Sequence, residues 1–153
     1  MRIGEICTRE VVHCERDASV VEIAELMRNH HVGDVIVAEP HQGKLVPVGI
    51  VTDRDLVVQV LAQGVGLDAF TAQDLMADEL VTATETEAVY DAIWHMRSKG
   101  IRRLPVVDER KFLVGVLTAD DVTEFLAEEL TEVARIVPRQ MKLEKSARAP
   151  IAA

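Results

Sequence analysis

Aromatic side chains are scarce in this chain of 153 residues: Trp, Tyr and Phe together make up 3%. That is too few for base-stacking platforms along single-stranded nucleic acid. Positive charge is also in deficit, with 17 Lys and Arg against 26 Asp and Glu and a formal net charge of −9. A chain this acidic, without a basic stripe, is a poor binder of phosphate backbones, so no nucleic-acid partner is expected. Cys7 and Cys14 are the two cysteines. Neither has a CxxC neighbour or a His at zinc spacing, and both are read as small buried or half-buried thiols. No apolar run approaches the roughly 18 residues of a membrane span, and Met1-Arg2-Ile3-Gly4-Glu5 lacks the apolar region of a signal peptide. A cytoplasmic location with no membrane partner is therefore expected.

Catalytic signatures are missing as well. His13, His30, His31, His41 and His95 stand neither at metal-ligand spacing nor beside an obvious nucleophile. There is no P-loop and no Gly-rich dinucleotide fingerprint. No catalytic residue and no required metal are assigned.

What the chain does have is a core and a repeat. Apolar residues are 48% of the total, enough for one ordinary domain or two small intimate ones. The stretch Gly49-Ile50-Val51-Thr52-Asp53-Arg54-Asp55-Leu56 returns as Gly115-Val116-Leu117-Thr118-Ala119-Asp120-Asp121-Val122. Each copy reads as an apolar strand ending at a Thr, with an Asp three residues later and an apolar helical pattern beyond. A repeat of this kind reveals architecture before any single motif does.

The flanking order repeats too. Residues 3–7 are a short apolar lead-in and Val11-Val12-His13-Cys14 a short strand. Ser19 with Glu22 forms a capping box for a helix whose face carries Val20, Ile23, Ala24 and Met27. That helix is predicted to fray near His30-His31 and to stop at Gly33. Val35 to Ala38 is a buried strand, Pro40 to Lys44 a turn, and Leu45 to Val51 the next strand. A helix from Asp53 to about Ala62 follows, with Leu56, Val57, Val60 and Leu61 as its apolar face. After the break at Gln63-Gly64-Val65-Gly66 the order restarts: Thr71 with Asp74 capping a turn that carries Leu75-Met76, a strand over Leu80 to Ala83, a helix with Val89, Ala92, Ile93 and Met96, and Gly100 ending it. Leu104 to Val107 and Phe112 to Leu117 are strands flanking a turn at Asp108 to Lys111. The last helix opens at Ala119 with Val122, Phe125, Leu126 and Leu130. Met27 and Met96 stand 69 positions apart, and Gly49 and Gly115 stand 66 apart. The difference falls in the turn near Pro40, where length variation costs least.

The reading is an α/β (α+β) fold of two β-α-β-β-α units, residues 1–66 and 67–137, packed with pseudo-two-fold symmetry. Neither unit buries enough surface alone. Residues 138–153, with Arg139, Lys142, Lys145 and Arg148, are read as a basic, solvated extension; a short helix over 139–146 docking on a partner subunit is the alternative.

Two such units, each ending in Gly-φ-φ-Thr-x-x-Asp (φ apolar), resemble the tandem CBS module, named for cystathionine β-synthase. Arg102-Arg103-Leu104-Pro105-Val106-Val107-Asp108 adds to the resemblance, which covers about residues 1–130 in a stand-alone pair. It implies a non-catalytic sensor that binds an adenosine-containing ligand in clefts between the repeats and dimerises into a flat disk. AMP is the first candidate, with ADP, ATP, NAD, S-adenosylmethionine or a cyclic dinucleotide as alternatives; the regulated partner protein is not identified. A ligand-free dimerisation scaffold is the competing class.

Thr52 with Asp55, and Thr118 with Asp121, read first as helix capping boxes. The resemblance adds a ribose role for both aspartates, and a helix start favours phosphate near the Thr hydroxyl. It also implies adenine walls at Cys7, Val11, Val12, Val32 and Gly33 in repeat one, and at Met76, Leu80, Val81, Ile101 and Arg102 in repeat two. Phosphates should be met from the opposite repeat. The Thr52/Asp55 cleft is then expected to face Arg103 and Arg102, with Arg54 at its rim. The Thr118/Asp121 cleft should face Asp34 and carries Asp120 where the other has Arg54. The expectation is preferential binding of a phosphate-bearing ligand in the first cleft. The plain alternative for Arg102-Arg103 is a surface pair, or an ion pair with Asp108 or Glu109.

Overall fold

A computed structural model describes residues 1–77 and 79–147. In chain order the elements are α1 (Ile3–Ile6), β1 (His13–Cys14), α2 (Val20–His30), β2 (Asp34–His41), β3 (Lys44–Thr52), α3 (Asp53–Asp55) running into a π-helical segment (Leu56–Leu61), α4 (Ala72–Leu75), β4 (Ala83–Thr84), α5 (Val89–Lys99), β5 (Arg103–Val107), β6 (Leu113–Thr118), α6 (Ala119–Ala134) and α7 (Ile136–Ala147). Two three-stranded sheets result, β1-β2-β3 and β4-β5-β6. In each, the first strand runs parallel to the second and the third antiparallel to it. Even the irregularities repeat: the register shifts at Val37/Ala38 in one sheet and at Val106/Val107 in the other.

The helix starts follow local chemistry. Ser19 Oγ accepts from the Glu22 amide at 3.2 Å, and Glu22 accepts from the Ser19 amide at 2.7 Å, closing the predicted capping box. Val20, Ile23 and Met27 are buried beneath α2, while Ala24 of the predicted face is exposed. The predicted stop at Gly33 is displaced. His31 takes the left-handed conformation, φ 55°, as C-cap of α2, and Gly100 does the same job for α5 at φ 66°. The Pro40–Lys44 turn is also tighter than predicted. β2 continues through Pro40 to His41, and Gln42 and Gly43, at φ 51° and 76°, make a two-residue hairpin turn of the type whose twist suits paired strands.

Other boundaries shift. Val11 and Val12 precede β1, and Leu80, Val81 and Thr82 precede β4. The helix after β3 leaves α-geometry at Leu56, with Ala62 N–H donating to Val57 C=O at 2.8 Å, five residues back. The wider turn rotates the predicted apolar face: Val60 is 1% exposed, but Val57 and Leu61 stand 53% and 67% exposed. Leu126 and Leu130 likewise lie outside the α6 core face that Val122 and Phe125 form. The basic stretch is helical, α7 covering Ile136–Ala147, and it buries no side chain; docking of that helix on a partner subunit stays an expectation. Arg148 and the last five residues lie outside the described residues.

Two buried clusters form the core, and their membership does not follow the sequence repeats. Ile3 packs with Val89, Ala92, Met96, Leu104, Val106, Leu117, Val122 and Phe125 of the second half. Ala72 and Leu75 pack with Val20, Ile23, Met27, Val35, Val37, Val51 and Val60 of the first. The exchange is reciprocal, position for position. Ile3 N–H and Gly4 N–H donate to Glu87 C=O and Glu85 C=O; Ala72 N–H and Gln73 N–H donate to Ala18 C=O and Arg16 C=O; all four bonds are 2.9 Å. Each half therefore lends its lead-in helix to the other, and the expected boundary at residue 66 divides the sequence repeats but not the packed units.

Candidate functional site

The two copies of the repeated motif end up as equivalent strand-to-helix corners. Antiparallel pairing sets Asp34 opposite Thr52 and Arg103 opposite Thr118. Asp53 N–H donates to Gly33 C=O at 3.0 Å and Ala119 N–H to Arg102 C=O at 2.8 Å, which ties each helix start to the strand beside it. Both capping boxes close. Thr52 N–H and Oγ1–H donate to Asp55 Oδ2 at 2.8 Å, and the Asp55 amide returns to Thr52 Oγ1 at 3.2 Å. Thr118 and Asp121 repeat this at 2.7 Å and 3.1 Å. One carboxylate oxygen is committed to the cap; Asp55 Oδ1 accepts only a long bond of 3.4 Å from Gln59.

The motif glycines have a packing reason. A Cβ at Gly115 would stand 2.8 Å from Cys7 Sγ and 2.9 Å from Thr8 C=O, and one at Gly49 would stand 2.9 Å from Met76 Cβ. Cys7 and Met76 are the ends of the exchanged lead-ins, so each half's strand must be bare where the other half's chain crosses it. Both residues, expected as adenine walls, pack against these crossings. Burial raises the Cys7 thiol pKa above its ordinary value, against the pull of Arg9.

A cleft of 260 Å³ opens between the halves. The first half contributes Ile50, Thr52, Asp53 and Arg54; the second contributes Ala77, Glu79, Leu80, Val81, Gly100, Ile101, Arg102 and Arg103. Seven predicted residues are thereby brought together: Thr52, Arg54, Leu80, Val81, Ile101, Arg102 and Arg103. Asp55 stands behind the cap rather than in the lining. Sequence reasoning missed Asp53, Glu79, Ala77, Ile50 and Gly100. Asp53 was legible as the first helical residue after the Thr; nothing local marks Glu79, which pairs with Lys99 at 3.9 Å.

The other predicted set does not assemble in the same way. Val11, Val12 and Val32 line a separate depression on the first half with Thr8, Glu10, His13, Leu26 and His30, and Thr118, Asp120 and Asp121 take no part in it. Gly33 borders the first-half corner instead: a Cβ there would meet Arg103 Nη2 at 3.2 Å and Asp53 Oδ2 at 3.3 Å.

The expected separation of Arg103 and Asp34 into opposite clefts is also corrected. Arg103 Nε forms an ion pair with Asp34 Oδ1, the two side chains being 23% and 14% exposed. They occupy matched positions of the two repeats, at the starts of β5 and β2. Residues near a pseudo-two-fold axis meet their own equivalents, and here the equivalents carry opposite charge. Burial raises the Asp34 carboxyl pKa from its ordinary value, outweighing the pull of Arg103, and Asp53 adds to the rise. Asp108 accepts from the Phe112 and Arg110 amides, both at 2.9 Å, and faces Lys44 at 3.7 Å; it is not the partner of either arginine.

Among the described residues, no group of three or more His, Cys, Asp or Glu is placed to hold a metal ion, and no helix is long and apolar enough to cross a membrane. The model of the family described as CBS domain matches twice, at residues 3–62 and 72–128. The chain is 38% identical to an uncharacterized protein, MK0525, of Methanopyrus kandleri, matching 80% of this chain and 61% of that longer protein. It is 35% identical to the CBS domain-containing protein YhcV of Bacillus subtilis, over 78% of this chain and 81% of that one. A CBS domain protein of Pyrobaculum aerophilum complexed with AMP superposes with a TM-score of 0.71 at 30% identity, covering 79% of this chain and 89% of that one. The CBS domain pair of protein MJ0100, in complex with 5′-methylthioadenosine and S-adenosyl-L-methionine, gives 0.73 at 26% identity, over 84% and 98%. With both copies matched over residues 3–62 and 72–128 and the two-sheet fold shared, this chain belongs to the CBS domain family.

Proposed function

We propose that this CBS pair is a non-catalytic regulatory module that binds an adenosine-containing ligand, AMP first, in the cleft between its halves. One observation carries the reading: a single inter-half cleft combines apolar walls with a helix start and guanidinium groups. Leu80, Val81, Ile101 and Ile50 suit the faces of a purine. Thr52, at a helix start, offers a hydroxyl beside Asp53 and Arg54, and Arg102 and Arg103 approach from the other half. Asp55 lies outside the lining with Oδ2 held by the cap, so its ribose role requires Oδ1 to give up the 3.4 Å bond from Gln59 and turn toward the cleft. The volume of 260 Å³ lies just below the usual small-molecule range of about 300–1,000 Å³ and suits a mononucleotide better than a dinucleotide. The solved relatives that carry AMP, or 5′-methylthioadenosine and S-adenosylmethionine, support the ligand class. The Thr118/Asp121 corner has Asp120 where the first has Arg54, and we assign it the weaker affinity for phosphate.

Mass spectrometry of the natively purified protein, followed by melting with added AMP, tests the reading. AMP at a hundredfold excess over its dissociation constant is expected to stabilise the fold by about 2.7 kcal/mol without being hydrolysed. If no adenosyl compound co-purifies and none shifts the melt, the pair is a ligand-free scaffold. Turnover of the added nucleotide would make it an enzyme. A homodimer is the proposed assembly, since Tyr90 and Trp94, one turn apart on α5, stand 71% and 61% exposed; light scattering checks it.

A further inference from the structure

We infer that Asp34 limits how much negative charge the Thr52 cleft accepts, so that the cleft takes adenosine and its monophosphate in preference to the triphosphate. This rests on the adenosyl reading above and adds the ligand's charge to it. Arg103 is the half-buried guanidinium of the cleft, its side chain 23% exposed, whereas Arg54 and Arg102 are exposed. A phosphate therefore depends most on Arg103, where solvent screens least.

That guanidinium is already matched. Its Nε faces Asp34 Oδ1, and Asp53 Oδ2 lies on the same side, around the bare Cα of Gly33. Arg103 Nε is buried without a well-directed hydrogen bond, so charge rather than alignment holds the pair. An incoming phosphate meets one cation already offset by one carboxylate, with a second carboxylate beside it. A first phosphate group can share the guanidinium, which has five N–H donors. Further phosphates add charge near Asp34 and Asp53 and find only the solvent-screened Arg54 and Arg102. Asp34 stands beside Thr52 in the same sheet, so the restraint comes from the half that holds the ligand corner and acts on a guanidinium that reaches in from the other half.

Calorimetric titration of adenosine, AMP and ATP into the wild-type chain and Asp34→Asn, at one fixed ionic strength, tests this. The wild type is expected to bind adenosine and AMP and to bind ATP more weakly. In Asp34→Asn, adenosine affinity stays unchanged, AMP affinity rises, and ATP affinity rises most, by about tenfold. Equal changes for all three ligands, or an unchanged ratio of ATP to adenosine affinity, overturn the inference. Should Asp34→Asn fail to fold, the exchanged pair Asp34→Arg with Arg103→Asp keeps the ion pair; it is expected to retain adenosine and lose AMP, and retention of AMP overturns the proposal. A wild type that binds none of the three overturns the adenosyl reading itself, and this inference with it.

Discussion

Asp34 and Arg103 hold opposite charges at positions that the repeat makes equivalent, and both are largely out of solvent. Removing one partner strands the other. Arg103→Gln is expected to cost about 1–3 kcal/mol, below the roughly 3–5 kcal/mol of a fully buried pair, and adding Asp34→Asn should recover part of the loss in urea melts. The pH dependence has a definite sign. Burial holds the Asp34 carboxyl above its ordinary value, so the native state keeps this proton more tightly than the unfolded chain does. The group's contribution to stability is full below the unfolded aspartate pKa, about 4, and is lost as pH rises through the higher native value. Wild type and Asp34→Asn should thus differ in the slope of stability against pH as pH rises above the unfolded aspartate pKa. Cys14 gives a second test at this scale. Burial, with help from Glu22 and Asp17, pushes its thiol up to about 11, so at pH 8 almost no thiolate exists to react. Alkylation of Cys14 should run only at the rate of unfolding, and rapid labelling of the native protein would contradict this environment.

At the scale of elements, the exchanged lead-ins decide which substitutions the strands tolerate. Gly115→Ala drives a methyl against Cys7 Sγ and the Thr8 carbonyl, whereas Gly49→Ala meets the flexible side chain of Met76. Overpacking costs of about 1–3 kcal/mol are expected for both. Met76→Ala removes the Sδ and Cγ contacts but keeps the Cβ at 2.9 Å, so it relieves Gly49→Ala only in part, and no side-chain change fully relieves Gly115→Ala. Thermal melts of Gly49→Ala, Gly115→Ala and Gly49→Ala with Met76→Ala check the pattern. These contacts also explain what was legible in the sequence. The capping boxes of Ser19, Thr52, Thr71 and Thr118 are short-range chemistry and were readable. So were the apolar positions of α2 and α5, apart from Ala24. The π-helical segment was not, because the hydrogen-bond offset that turns Val57 and Leu61 outward leaves no mark on residue type. The hairpin at Gln42-Gly43 was misjudged because Pro40 reads as a breaker, yet a proline is tolerated at the end of a strand. Periodicity says which face of a helix is apolar and not whose core that face enters. For α1 and α4 it therefore missed the exchange, although position-for-position matching of the repeats held the clue.

The whole molecule depends on that exchange. Ile3 is fully buried, and its companions belong to the second half. Ile3→Ala should cost about 2–5 kcal/mol, and hydrogen exchange should locate the loss in α5, β5 and β6 rather than in β1 to β3, which neighbour it in sequence. Uniform loosening of both halves would count against two separately clustered cores. The cleft follows from the same arrangement: its walls come from both halves, so a ligand bound there would report on how they are apposed. That part of the site was legible because the repeat predicted pseudo-two-fold packing. The meeting of Asp34 with Arg103 needed one more step, namely that residues at the axis face their own counterparts.

The reciprocal lead-ins also bear on how the chain would behave if cut. A break between Gly64 and Gly66 leaves one fragment holding Ile3 without the cluster it fills, and another holding Ala72 and Leu75 in the same position. Neither fragment is a self-sufficient folding unit, but each presents the wedge that the other's vacancy fits. Mixed together, they should reconstitute the fold in trans, and two intact chains at high concentration could trade the same wedges to become an interlocked pair.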